Sequence, residues 1–216
     1  MKSRNTALVL GATGLVGKAL VTQLLADPRY TKVTCLVRRP LKHKDYPDLE
    51  GKLEPIVIDF DALQDYQGYF NADHIYVCLG TTIKQAKSKA AFRKVDFEYV
   101  HIAAQLARAQ KVQSFVWISS VGANAQSKSF YLRVKGELEN AILNMSGLQH
   151  PSAVRPSLLL GERSEVRLSE RIGIVLAKLI SPLLFGRWAK YKPVSAWQVA
   201  AHMIKLQDFS SQKGIQ

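Results

Sequence analysis

Acidic side chains are scarce in this chain. Seventeen Asp and Glu stand against 30 Lys and Arg, a formal net charge of +13 over 216 residues. The excess is spread along the chain, with some bias to the C-terminal half, and no arginine-rich tract, zinc-finger spacing or RNA-binding aromatic signature accompanies it. Such a field attracts an anionic cofactor, nucleic acid or anionic lipid. A solvated basic surface is the preferred reading, and nucleic acid is disfavoured as a partner. Cysteine is scarce too. Cys35 and Cys78 both sit in apolar, strand-like runs, so they read as buried thiols of a reducing compartment and not as a disulfide. With no C-x-x-C, and with five histidines dispersed along the chain, no metal site is expected. Long hydrophobic runs are missing. Met1 to Asn5 and the short apolar run after them do not read as a signal peptide, and Ile172 to Phe185 is too short and interrupted to span a membrane. A cytoplasmic protein is therefore expected. Repeats, linkers and low-complexity tracts are absent. With 47% hydrophobic residues, the chain reads as one globular domain over 1–216.

What is present is an alternation. Apolar runs fit strands near 6–10, 32–37, 55–58, 74–79, 113–119 and 152–154. Helical patterns fit near 15–26, 88–110, 130–146, 166–180 and 195–208. Continuous apolar strands such as Ile75 to Leu79 suggest a parallel sheet covered on both faces. The β-α-β order predicts an α/β fold with a doubly wound parallel sheet. After Arg155-Pro156 the chain turns helix-rich, so residues 156–216 read as a small C-terminal lobe covering the substrate.

The first strand runs into Gly11-Ala12-Thr13-Gly14-Leu15-Val16-Gly17. Strand, glycine turn and helix meet where a dinucleotide-binding unit needs them. Gly11 permits the tight turn, Gly14 lets the backbone approach a pyrophosphate, and Gly17 lets the helix pack close to the sheet. The N–H groups at the helix start would face the phosphates. At the end of the second strand stand Arg38 and Arg39, where an NAD-binding version usually has Asp or Glu. Two guanidiniums suit a 2′-phosphate, so NADPH is favoured over NADH. Asp59, after the third strand, reads as an adenine neighbour or, almost equally, as a helix N-cap. Leu79-Gly80-Thr81 ends the fourth strand and would let the cofactor's middle approach.

The catalytic signal lies at Ser119-Ser120 and at Tyr131 and Lys135. The last two are i and i+4 on a predicted helix and share a face. A free tyrosine titrates near ~10, and a neighbouring ammonium lowers that value. Tyr131 could then protonate a carbonyl oxygen or take a proton from an alcohol, while Ser120 hydrogen-bonds the same oxygen.

In this order the residues resemble the atypical short-chain dehydrogenase/reductases, and among them the Tat-interacting-protein-like oxidoreductases of the NAD(P)-binding Rossmann superfamily. The resemblance rests on Gly11 to Gly17, Val37-Arg38-Arg39, Asp59-Phe60, Cys78 to Thr82, Val95-Asp96, Ser119 to Ala123, Tyr131 to Glu137 and Arg155 to Leu159. It implies NADPH lying along the C-terminal ends of the strands. It makes Tyr131 the acid/base, Lys135 the holder of the nicotinamide ribose and Ser120 the group that orients a small carbonyl substrate, with Ser119 as second choice. Leu159 and Arg167 would border the nicotinamide end or the phosphates. A non-catalytic, NADPH-sensing interaction protein is the alternative, because relatives of this type also act as regulators. A protein partner or a homodimer stays open. The segment 172–185, flanked by cations, suits a helix packed over the cleft or on another subunit better than a helix lying on anionic lipid.

Overall fold

The computed structural model describes residues 4–48, 50–157, 159–160 and 194–207. Six parallel strands form one sheet: β1 (Asn5–Leu10), β2 (Tyr30–Val37), β3 (Leu53–Val57), β4 (His74–Val77), β5 (Ser114–Ile118) and β6 (Pro151–Val154). Their order is β3-β2-β1-β4-β5-β6. The helices are α1 (Leu15–Ala26), α2 (Ile83–Ala86), α3 (Lys89–Arg93), α4 (Tyr99–Ala109), α5 (Phe130–Leu143) and α6 (Ala196–Lys205). A separate parallel pair joins β7 (Leu159–Leu160) to β8 (Val194–Ser195). This is the expected doubly wound Rossmann sheet.

Burial explains the strands. All four residues of β4 are buried, as are the last five of β2, because helices cover both faces and neither face alternates with polar residues. Side chains still alternate in direction along each strand. Leu8 and Leu10 enter a layer with Phe115, Trp117, Ala103 and Leu138, against α4 and α5. Val9 points the other way, into a layer with Leu20, Leu24, Tyr76, Ala200 and Met203, against α1 and α6. The described part of the predicted C-terminal lobe thus includes a helix that packs on α1.

Several boundaries differ from the sequence reading. The single helix expected over 88–110 is α3 and α4 joined by a π turn, Lys94–Glu98. The helix expected over 130–146 stops at Leu143, and Asn144 caps it. Phe60–Phe70, left without structure by the periodicity, is a kinked 3-10 segment started by the side chain of Asp59. The helix predicted over 166–180, and with it the segment 172–185, lies outside the described residues.

α1 carries no acid in its first turn, and its N-cap, Gly14, supplies no side-chain hydrogen bond. Its first N–H groups therefore face outward from the sheet edge with their partial positive charge. At the other end the Lys52 ammonium reaches the carbonyls of Leu25 and Asp27, each at 3.2 Å, where a cation suits the helix dipole. Cys35 on β2 and Cys78 just past β4 flank β1, separated laterally by two strand spacings, ~9.5 Å, and offset by two residues along the strands. A disulfide needs α-carbons within ~7 Å, and both cysteines are free. Burial pushes both thiols up to about 12.

Two glycines hold elements at backbone contact. A Cβ on Gly17 would lie 2.1 Å from the carbonyl oxygen of Gly11, and one on Gly136 would lie 2.3 Å from the backbone of Asn124 and Ala125. Gly17→Ala and Gly136→Ala should each cost about 1–3 kcal/mol, the range for overpacking, measured by urea unfolding. Gly14→Ala should cost less than either, since its new methyl would meet no protein atom closer than 3.4 Å. Equal losses at all three positions would show that close packing is not the cause.

Candidate functional site

The chain order of the strands reverses between β1 and β4. β2 and β3 lie to one side of that point, β5 and β6 to the other, so the crossovers leave a crevice at the strands' C-terminal ends. The Gly11–Gly17 turn leaves β1 here, and Gly80-Thr81 leaves β4. The two touch. Gly11 has φ +87°, and a Cβ on it would sit 2.6 Å from the backbone carbon of Cys78. Only glycine fits that approach. The turn is braced from beneath by the Tyr46 hydroxyl, which donates to the Ala12 carbonyl at 3.0 Å. Thr13, Gly14 and Leu15 stay at the surface or half-buried, while Val16 and Gly17 are buried. The exposure of Gly14, the unpaired helix start and the absence of an acid suit a pyrophosphate.

On the β2 side, Val37 is buried and Arg38 and Arg39 are exposed beyond it. Neither arginine has an ion-pair partner among the described residues. Asp59 is exposed, and its carboxylate accepts the Asp61 N–H at 2.9 Å, so the helix-capping reading describes its contact. Beside it Asp61 takes the Lys94 ammonium at 2.7 Å and the Tyr99 hydroxyl. Those two hydrogen bonds hold the Asp61 carboxyl below its usual value, and burial with Asp61 beside it pushes the Tyr99 phenol up.

On the β5 side the two serines differ. Ser119 is buried, its N–H bonds the Val154 carbonyl at 2.7 Å, and its hydroxyl donates to Glu139. Ser120 is half-buried, and its hydroxyl has only a long contact of 3.3 Å to the Val121 carbonyl. Ser120 is the one left available to a ligand. Glu139 is itself buried and takes Arg155 Nε at 2.9 and 3.1 Å, so α5, the end of β5 and the end of β6 meet on one carboxylate. Hydrogen bonding to Glu139, helped by its charge, holds the Arg155 guanidinium above its usual value.

Tyr131 lies in the first turn of α5, half-buried, with its ring 5.7 Å from that of Phe92. Lys135 is one turn on, and its environment differs from the sequence expectation. Its Nζ lies 2.8 Å from the Asp96 carboxylate, with the two side chains 3% and 1% exposed. It also contacts the Ile118 carbonyl at 3.5 Å. The other oxygen of Asp96 accepts the N–H of Thr81 at 2.9 Å. Burial raises the Asp96 carboxyl, and Lys135 opposes that rise. The lysine proposed to serve cofactor and tyrosine is thus already ion-paired.

The sequence reading assigned no role to Asp96, Glu139, Arg155 or Tyr46. A signal for two of them was present. Asp96 stands on the otherwise apolar stripe of Phe92, Val100, Ala103 and Ala107, and Glu139 among Val134, Leu138 and Ile142. A charge on a core-facing stripe needs a partner. Of the remaining predicted residues, Leu79 and Thr81 flank Gly80 at the crevice. Leu159 is placed only by its backbone in β7, and Arg167 lies outside the described residues. No metal-holding group of His, Cys, Asp or Glu occurs among the described residues. A groove of about 410 Å³ between the C-terminal half of α1 and α6, lined by Thr22, Ala26, Trp197 and Ala201, lies at the far end of α1 from the glycine turn.

Comparison with known proteins agrees with this geometry. Residues 11–171 match the sequence family described as NAD(P)H-binding. The chain is 33% identical over 219 residues to the protein FMP52-1, mitochondrial, of Scheffersomyces stipitis, covering 97% of this chain and 91% of that protein. It is 34% identical over 166 residues to the protein HTATIP2 of Rattus norvegicus, covering 76% and 67%. Its fold is shared with a UDP-N-acetylglucosamine 4-epimerase of Methanobrevibacter ruminantium, at TM-score 0.71 and 13% identity over 95% of this chain and 74% of that one. A putative NAD-dependent epimerase/dehydratase of Bacillus halodurans gives TM-score 0.64 at 18% identity, over 96% and 89%. One expectation is corrected. The cytoplasmic location drawn from the chain's start fails against FMP52 relatives that are named mitochondrial. Targeting is carried by short, variable segments that charge and hydropathy read poorly. No described helix is long and apolar enough to cross a membrane.

The Glu139 junction can be tested by itself. Glu139→Gln should lower stability by about 1.5–3 kcal/mol, the worth of hydrogen bonds to a charged group. Arg155→Ala should cost less, because its side chain is 53% exposed. Chemical denaturation of both variants checks the order, and a larger loss for Arg155→Ala would contradict it.

Proposed function

Because the chain belongs to the NAD(P)H-binding family of atypical short-chain dehydrogenase/reductases, we propose that it is an NADPH-dependent reductase acting on a carbonyl/alcohol pair. The observation that carries this reading is the shared edge. Glycine turn, arginine pair, Ser120 and the Tyr131 helix all stand at the C-terminal ends of one parallel sheet. The cofactor, when bound, supplies hydride to the substrate carbon. The chain's own residues do the rest. The N–H groups of the Gly11–Gly17 turn hold the pyrophosphate, and Gly14 leaves room for it. Arg38 and Arg39 hold the 2′-phosphate. Ser120 donates a hydrogen bond to the substrate's carbonyl oxygen, and the Tyr131 phenol gives that oxygen its proton. Lys135 lies one helical turn from Tyr131 and holds the nicotinamide ribose.

A second reading, a cofactor-sensing interaction protein, has one observation in its favour. The Lys135 ammonium is already neutralised by Asp96, so less of its charge is left to acidify a phenol.

Fluorescence titration should show NADPH binding more tightly than NADH. Charge-assisted contacts are worth about 1.5–3 kcal/mol each, so Arg38→Ala with Arg39→Ala should erase most of the difference. Equal affinities in the wild type would overturn the NADPH assignment. Gly14→Val should remove binding of both cofactors from a protein that still folds.

The chemistry is read by NADPH oxidation against aldehydes, ketones and quinones. Tyr131→Phe should slow turnover about 10²–10⁴-fold, the worth of general acid–base help, with cofactor affinity little changed. Wild-type turnover in Tyr131→Phe would sink the mechanism. Tight NADPH binding with no turnover across the panel would favour the sensor.

A further inference from the structure

The half of the crevice that holds Ser120 and Tyr131 is charged with one sign. Residues 80–94, which leave β4, and residues 119–136, which leave β5, contain no Asp or Glu. The β2–β3 side mixes signs: Asp59 and Asp61 stand exposed there as well as Arg38 and Arg39. The acids that come next along the chain, Asp96 and Glu137, are each ion-paired, to Lys135 at 2.8 Å and to Arg93 at 2.5 Å. Lys94 is taken by Asp61. Four ammoniums are left over. Lys84, Lys87, Lys89 and Lys128 are all exposed, and none has an ion-pair partner among the described residues.

Aromatic contacts bring the two segments together beside the tyrosine. The ring of Phe92 on α3 lies 5.8 Å from that of Phe130 and 5.7 Å from that of Tyr131. Lys89, one turn ahead of Phe92, places its Nζ 5.4 Å from the centre of the Phe130 ring. A cation thus stands against the residue that precedes Tyr131. Lys128 lies just ahead of α5, two residues before Phe130. Helix stability does not account for these charges. Lys89 opens α3 and Lys128 precedes α5, at helix starts where the dipole favours acids and disfavours cations. Neither first turn carries an acid. Lys87 has φ +66°, in the left-handed region where a glycine costs less. Like charges gathered without counter-charges also repel one another.

We propose that the substrate is an anion: a carbonyl compound with a carboxylate or phosphate at its far end, which Lys89 and Lys128 hold while the carbonyl reaches Ser120 and Tyr131. This deepens the reductase reading above and rests on it. A cleft wall of one sign raises the local concentration of a substrate of the other. Ammoniums act as point charges with rotatable donors, so they suit a carboxylate or a phosphate without imposing one geometry. The charged end takes no part in hydride transfer. Its binding energy orients the carbonyl, and a neutral aldehyde of the same size has none of it to use. Lys84 on α2 and Lys87 just after it extend the same field outward.

The test compares matched substrates that differ in charge: 4-oxobutanoate with its methyl ester, and glyceraldehyde 3-phosphate with glyceraldehyde. NADPH oxidation by the wild type should give a kcat/KM about tenfold higher for the charged member of at least one pair, the scale on which several exposed charge pairs act together. Lys89→Gln with Lys128→Gln should bring that ratio close to one, by raising KM for the charged member and not by lowering kcat. Lys111→Gln with Lys205→Gln removes the same charge at the N-terminal ends of the strands and should leave the ratio as it is. All four lysines are exposed, so both double variants should keep the wild-type melting temperature. Equal rates on both members of both pairs overturn the proposal and leave the reductase reading standing. A ratio that falls equally in both double variants overturns it too, since the general field then selects and not this site. Weaker NADPH binding in Lys89→Gln with Lys128→Gln assigns those lysines to the cofactor and overturns it as well. A wild type that reduces neither member of either pair overturns the reductase reading. Calorimetry of the same pairs with NADPH present then decides this one: binding of the charged member alone supports it, and no such binding overturns it.

Discussion

Backbone meets backbone at the centre of this molecule, with no side chain between. The turn after β1, the end of β4 and the start of α1 converge where Gly11 faces Cys78 and Gly17 faces Gly11. A single methyl group at either glycine is excluded by distances of 2.6 Å and 2.1 Å. The helix start is thereby held at the point where the strand order reverses. The crevice, its exposed N–H groups and the approach of the β4 turn all follow from that convergence. The arginine pair and the tyrosine helix are placed by the strands on either side of it.

Two buried charge junctions fix α5 to the rest. Glu139 binds it to the ends of β5 and β6, and Asp96 binds it to the turn after β4. They lie near each other but share no partner in the hydrogen bonds and ion pairs described. The first consumes Ser119 and leaves Ser120, which explains how two adjacent serines acquire different fates. The second changes the meaning of Y-x-x-x-K. In the sequence the lysine has only the tyrosine for company. In the fold its nearest charge comes from a different helix, 39 positions upstream in the numbering.

The fold was legible because its signals are local. Apolar runs such as Ile75 to Val77, glycines at fixed spacing after β1 and the i, i+4 pair on α5 each need only a short window. The π turn was not legible, since Lys94–Glu98 continues the apolar stripe of α3 and α4 and differs only in its hydrogen bonding. The 3-10 segment escaped for another reason: polar residues fill the stretch between Leu63 and Phe70, and its kinks are backbone departures from helical angles at Ala62 and Tyr66, which no side-chain pattern records. Asp59 was placed between two readings, and its capping bond is a matter of one N–H two residues on. The partners of Lys135 and Ser119 come from other elements, so no window of sequence contains them. The hint available was a charge on an apolar stripe, which says that a partner exists without saying which one.

The helix that closes the α1 face comes from the other end of the chain. Ala196, Val199, Ala200 and Met203 of α6 fill the same layer as Val16, Leu20 and Leu24. The face of α1 is therefore completed by a helix synthesised well after it. On the ribosome, residues 15–26 leave the exit tunnel long before the residues that cover them, and must wait with an apolar flank exposed. The making of α1 and the completion of its packing are separated by most of the described chain.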